Sequence, residues 1–212
     1  MKSPLPSSRQ TSDLRQAGLI EAALQLAAGR NPAGITTGDL AQAVGISQGA
    51  VFKHFPSKQA VWLAVLDWAT VQLMQRLRAA VDLRQDSLEG FNPLAALQDV
   101  FIAHVDFVIA YPGVPRVVFQ ELQHAQETAL KSAVRGLMQQ YRALVMELLQ
   151  QAQAQQLLAP ATDVPSAAVL FLGAVQGLVM QALVSGQVAA MGPQSDGVFS
   201  IYLRGITCKE TP

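Results

Sequence analysis

The chain has 212 residues, of which 50% are apolar and 14% charged, and its formal net charge is zero. That length supports one large domain or a small domain with a larger companion, and the apolar content describes a globular chain and excludes general disorder. Divided after residue 58, the charge separates into +3 for residues 1–58 and −3 for the remainder, a basic head on an acidic body, as a phosphate-facing module carried by a non-binding domain would show.

In chain order, residues 1–11 are rich in Ser and Pro and read as a flexible arm, not a secretory signal. Leu14 to Ala28 carries Ile20, Ala23, Leu24 and Ala27 at helical spacing and is broken by Asn31-Pro32 to Gly34, which predicts a first helix. Thr36 and Thr37 then cap a short helix in which Asp39 pairs with Thr36 in a capping box and Leu40, Ala41 and Val44 face inward. Gly45 ends it. Ser47 caps a third helix of about two turns, with Val51, Phe52 and Phe55 for its inner side and Pro56 as its stop. Ser57 caps a fourth, long helix from Lys58 to about Val81, whose apolar surface exceeds what a small head can cover and must bridge to the body.

After a loop at residues 82–91, Asn92 as cap and Pro93 as first helical residue open a fifth helix that ends before Pro112. It has two apolar faces, Leu94, Leu97, Phe101, Val105 and Val108 on one and Val100, His104, Phe107 and Tyr111 on the other, so it should run through the middle of the body. Further helices are expected from Pro115 to about Ala125, Glu127 to about Leu157, Pro165 to Val184 and Ser195 to Ile206. Strand signals are nearly absent, and the fold class is all-α. Ala167 to Val184 is apolar enough to approach a membrane span, but Gln176 and Gln181, with Gly173 and Gly177, fit a helix packed on another helix. The single Cys208 forms no intrachain disulfide and no metal motif, and a reducing cytoplasm is the expected compartment.

The two short helices joined at Gly45, the second bounded by Ser47 and Pro56, make a helix-turn-helix whose second member is free to enter a major groove. The reading turns Gln48, Gly49, Ala50, Lys53 and His54 outward. Gln48 has the amide that pairs with adenine, Ala50 can meet a thymine methyl, and Gly49 lets backbone approach. Lys53 and His54 reach phosphate or base edges, while Lys58, in the first turn after the Ser57 cap, lies where free N–H groups favour an anion, as Thr36 and Thr37 do at the other helix. Because one such reader covers few base pairs, a specific operator needs two of them held about one helical turn apart or a multiple of it, hence a dimer.

The run from Ile35 to Lys58, with its paired threonines, Gly45-Ile46-Ser47 turn, Phe52-Lys53-His54-Phe55 block and Ser57-Lys58 helix start, closely resembles the DNA-binding signature of TetR-type (tetracycline-repressor) regulators. The likeness covers about residues 13–68. It departs from the family at Phe52, where a tyrosine is usual, and at Gly38, where some relatives place a base-reading side chain. The resemblance implies a double-stranded operator as partner, with Thr36, Thr37, Ser47, Gln48, Gly49, Ala50, Phe52, Lys53, His54 and Lys58 at the DNA. It implies an N-terminal three-helix head (12–57), a connecting helix (58–81), a ligand-binding and dimerisation domain (82–207) and a tail (208–212).

In such a protein the last two helices pair with their mates as a four-helix bundle, here through Leu170, Gly173, Ala174, Gly177, Leu178, Gln181, Val198, Ile201, Tyr202 and Gly205. A small, largely apolar effector is expected among Phe101, His104, Phe107, Tyr111, Phe119, Met138, Tyr141, Gln176 and Met180, releasing a repressor from a palindromic site. The alternatives are a helical metal-binding enzyme, for which Glu121 and His124 have di-iron spacing without a second copy, or an interaction module that binds no DNA. Three histidines, no phosphate loop and no paired nucleophile and base argue against catalysis. No catalytic residue, metal, cofactor or membrane is expected.

Overall fold

The computed structural model describes residues 8–85 and 90–207 and contains nine α-helices and no strand among them. They are α1 (Ser8–Gly29), α2 (Thr37–Ala43), α3 (Gln48–Phe52), α4 (Lys58–Gln85), α5 (Pro93–Ala110), α6 (Gly113–Leu122), α7 (Ala129–Ala154), α8 (Val164–Ser185) and α9 (Met191–Ile206), with 3-10 turns at Pro32–Gly34 and Val188–Ala190. Several ends differ from the sequence reading. α1 starts at Ser8, so residues 8–11 are helical and not part of an arm; residues 1–7, like Cys208 and the tail, lie outside the described residues. α4 runs one turn past Val81. α6 and α9 start ahead of Pro115 and Pro193 because a proline in the first turn sacrifices no helical hydrogen bond.

The chain divides into two compact units. The first comprises residues up to Ala69 together with Tyr111–Val134, and so contains α1, α2, α3, the first part of α4, α6 and the start of α7. Its core is Leu19, Ala23, Ala27, Ile35, Leu40, Val51, Val61 and Val65, each with no exposed surface. α6, expected within the C-terminal body, packs instead on α1. Gly113 makes this possible: a Cβ there would sit 2.3 Å from the Leu24 carbonyl oxygen, so only glycine lets the start of α6 lie against the α1 backbone.

The second unit holds Thr70–Ala110 and the chain from Arg135 onward. α5 buries Ala96, Leu97, Val100, Phe101, Val105, Phe107 and Val108, which gives it the two buried faces its pattern predicted. Rings from three helices meet at its centre: Phe101 lies edge-on to Phe171 at 5.5 Å between centroids, and Phe171 edge-on to Tyr202 at the same distance. Such contacts add to the roughly 1.5–3 kcal/mol that burying each large side chain contributes. The Tyr202 hydroxyl donates to the Ala167 carbonyl at 3.1 Å and fastens α9 to α8. Arg84 pairs with Asp99 and ties the end of α4 to α5. α5 and α8 are long and apolar enough to cross a membrane, but each buries a face in this unit.

Candidate nucleic-acid interface

The turn between α2 and α3 is built by local chemistry that fixes both helix starts. Thr36 caps α2: its hydroxyl accepts from the Asp39 N–H at 3.1 Å, and the Asp39 carboxylate accepts from the Thr36 N–H and hydroxyl, both at 2.7 Å. Arg30 adds an ion pair to Asp39 at 3.1 Å. The Thr36 hydrogen bonds first, and Arg30 second, hold the Asp39 carboxyl well below the usual carboxylate range. Gly45 then turns the chain with φ of +68°, a conformation that disfavours any side chain. Ser47 caps α3 by accepting from the Ala50 N–H at 3.3 Å, and Ser57 caps α4 by accepting from the Ala60 N–H at 3.1 Å.

α3 is seated by Val51, which is wholly buried, and by Phe55 just beyond it. These two are four residues apart and share the inner face. Ser47, Gln48, Gly49 and Lys53 are exposed, with Ala50 half-buried, so the anticipated surface of α3 does face solvent. Phe52 differs from the reading that used it to hold α3 down: it is 48% exposed. It sits four residues after Gln48, on the outer face, beside the other candidates for DNA contact. A smooth helical count from Val51 gives this answer; its aromatic character had argued otherwise.

Four other candidates are committed to the protein itself. His54, expected outward, is half-buried, with its Nδ1 3.3 Å from the Ser12 hydroxyl and its carbonyl accepting from Gln16 at 3.1 Å. The Lys58 ammonium donates to the Ala33 carbonyl at 2.7 Å, and partial burial lowers its pKa while Asp39 opposes that shift. The Thr36 hydroxyl proton goes to Asp39. Thr37 is half-buried and accepts from the Gln48 amide at 2.8 Å, a contact between α2 and α3 that the sequence reading missed.

The residues expected around an effector are distributed over both units. Phe101, Phe107 and Tyr141 are buried in the second unit, where the His104 ring meets the Tyr141 hydroxyl at 3.2 Å. His104 is half-buried, and burial lowers its pKa to about 4 while raising that of Tyr141. Met138 is half-buried and receives the Gln176 amide on its sulfur at 3.8 Å. Gln176 and Met180 are exposed on α8, away from the buried face that carries Phe171 and Val175. Tyr111 and Phe119 belong to the first unit, where Tyr111 lies edge-on to Trp68 at 4.9 Å. A separate groove of about 340 Å³ is lined by Arg78, Val81, Asp82, Gln85, Ala143, Leu144 and Glu147, none of them anticipated.

α8 and α9 divide their apolar residues between two faces. Phe171, Val175, Leu178 and Ala182 point into the unit, as do Phe199, Tyr202 and Ile206. Leu178 and Tyr202 are therefore core and not surface, contrary to the sequence reading. Leu170, Gly173, Gly177, Gln181, Ile201 and Gly205 are exposed, with Ala174 and Val198 half-buried. Val169, Met180 and Val184 join them on the open side; the four-residue recurrence from Val169 through Gly173 and Gly177 was the signal for them. A Cβ added at Gly173 or Gly177 would meet nothing within 4 Å.

Residues 19–65 match a family model described as bacterial regulatory proteins, tetR family, and residues 118–194 match one described as tetracyclin repressor-like, C-terminal domain. Together the two matches take in more than half of the chain. The chain belongs to the TetR family. As a member it is a DNA-binding transcriptional regulator and not an enzyme. Its similar proteins include the nucleoid occlusion factor SlmA of Marinomonas sp. (strain MWYL1), 22% identical over 165 residues, which are 78% of this chain and 81% of that one. Among solved structures, the ketosteroid transcriptional regulator KstR2 of Mycobacterium tuberculosis has a TM-score of 0.73 and 24% identity, covering 92% of this chain and 96% of that one. The fatty acid degradation regulator FadR from Bacillus halodurans has a TM-score of 0.78 and 18% identity, with 96% and 98% covered. These likenesses establish the helical fold.

Proposed function

We propose that this regulator is a homodimeric repressor that binds a near-palindromic operator and is released by a small, largely apolar effector. The observation that carries the DNA reading is the outer face of α3, where Gln48, Gly49, Phe52 and Lys53 are exposed above the buried Val51 and Phe55. Gln48 serves as the base reader and Lys53 as the phosphate contact, with Ser47, Ala50 and Phe52 beside them and Thr36, Thr37, His54 and Lys58 around the turn. Lys58 has one of its three N–H bonds on Ala33, which leaves the other two for phosphate. The partner in the dimer is a second copy, seated on the open face of α8 and α9.

Support for the effector comes from the part-buried His104–Tyr141 pair, a polar contact among aromatic rings, the kind of anchor that orients a mostly apolar ligand. The names of the ketosteroid and fatty acid regulators point to compounds of that character. Release requires that the effector favour one separation of the two heads over another. α4, unbroken from Lys58 to Gln85 and contributing to both units, is the element we assign to that coupling. The protein acts in the cytoplasm, where its operator lies. Selection from a pool of randomised duplexes tests the reading: it should enrich an inverted repeat, and Lys53→Ala should weaken all sequences alike and lower the salt slope by about one unit. A pool that stays random after selection, or an unchanged slope, removes the assignment.

A further inference from the structure

Gln48 is distinguished from the other exposed residues of α3 by a hydrogen bond across the turn. Its Nε2 donates to the Thr37 Oγ1 at 2.8 Å, and both ends of that bond stand on independently fixed backbone. Thr37 is the first residue of α2, directly after the Thr36 cap and within the Thr36–Asp39 capping box, and Asp39 is itself held by Arg30. Gln48 is the first residue of α3, immediately after the Ser47 cap. A glutamine free in solvent has many rotamers, and ordering it on a base costs binding energy. A glutamine already tethered loses less.

We propose that Thr37 is a positioning residue for base recognition, holding the Gln48 amide in the orientation that reads adenine. The proposal rests on the reading above that α3 enters the DNA. With one Nε2–H engaged by Thr37, the amide keeps its Oε1 as acceptor and its second N–H as donor, the pair that matches the N6–H and N7 of adenine in the major groove. Gly49, next to Gln48, has open space where a Cβ would stand, so the base edge can approach the start of α3. Thr37 thus acts through Gln48 and not by holding phosphate. Gly38, which follows it, supplies no reading side chain, which leaves the tethered Gln48 as the principal discriminating group of the turn.

The test uses the full chain and the duplex it selects from a randomised pool, together with single-base variants of that duplex. Gln48→Ala should relax preference at one position per half-site, an adenine in the selected sequence. Thr37→Val should reduce preference at that same position by roughly three- to tenfold, the cost of ordering one rotamer-rich side chain on binding, and leave other positions and the salt slope as they were. Thr37→Ser should retain the preference. The Thr37→Val, Gln48→Ala double variant should lose no more at that position than Gln48→Ala alone. Thr37→Ala, with its better helix propensity, carries the same expectation as Thr37→Val if the β-branched variant loses helical signal. Uniform weakening of all sequences by Thr37→Val, with base preference intact, overturns the proposal and makes Thr37 a backbone contact. Failure of the unaltered chain to enrich any duplex overturns it by a different route, through the DNA reading itself.

Discussion

Placing a carboxylate at Leu170 should convert the dimer to folded monomers. Val169, Leu170, Met180, Val184 and Ile201 are each between 44 and 77% exposed in the isolated chain. Full burial of such side chains stabilises by about 1.5–3 kcal/mol, so covering their open portions is worth roughly 1 kcal/mol each. Counted on both copies, the face supplies roughly 10 kcal/mol, within the range of about 4–15 kcal/mol that association costs. The remaining contacts, including the close approach allowed at Gly173 and Gly177, must provide the surplus. Leu170→Glu removes roughly 1 kcal/mol from each protomer and forces two unpaired carboxylates into the interface, each costing several kcal/mol more.

A total loss of roughly 6–8 kcal/mol raises the dissociation constant by roughly 10⁴ to 10⁶. Sedimentation velocity at micromolar concentration reads the outcome, with circular dichroism on the same samples. The unaltered chain should sediment as a dimer and Leu170→Glu as a monomer with unchanged helicity, because Leu170 is 56% exposed and lies outside the buried core. Leu178→Glu is the contrast: Leu178 is buried, so that variant should lose its cooperative melt. A Leu170→Glu protein that sediments as the dimer, or an unaltered chain that is monomeric throughout, refutes the reasoning.

Phe52→Tyr should tighten binding to every duplex by about two- to tenfold, since a phenol on this exposed ring adds one hydrogen bond to phosphate worth roughly 0.5–1.5 kcal/mol; fluorescence anisotropy measures it, and an unchanged affinity would show that the ring does not reach the backbone. Gly113→Ala should lower stability by about 1–3 kcal/mol, because its Cβ meets the backbone of α1 at 2.3 Å; an unaltered urea midpoint would contradict the α1–α6 seam. His104 titrates with a lowered pKa of about 4 in the fold and about 6.5 in the unfolded chain. The unfolded chain therefore takes up the proton first, and stability falls as pH drops from about 6.5 toward 4. Between pH 7 and 5 this loss is about 1–2 kcal/mol, and His104→Gln, which does not titrate, should flatten that part of the urea-denaturation profile; a profile of unchanged steepness would place the loss elsewhere.

The head was legible because its punctuation is local. Thr36 with Asp39, Ser47 and Gly45 act on neighbours within four residues, and each does in the structure what its chemistry requires. What escaped depends on contacts distant in sequence. Nothing near His54 announces Ser12, nothing near Lys58 announces the Ala33 carbonyl, and the Gln48–Thr37 bond joins residues eleven positions apart. Leu178 and Tyr202 were placed on the surface because α8 and α9 are apolar on both faces, so composition does not say which side is core. α6 joined the first unit through the absent Cβ of Gly113, and a missing atom leaves no periodic mark.

The most direct measurement is the mass and footprint of the complex formed on the duplex that the chain itself selects. Two protomers should cover an inverted repeat whose half-site centres lie about one helical turn apart or a multiple of it, and a Gln48→Ala, Lys53→Ala variant should keep its dimer mass yet leave the repeat unprotected. Full protection by that variant would contradict the account, because the exposed surface of α3 would then be spectator to the DNA.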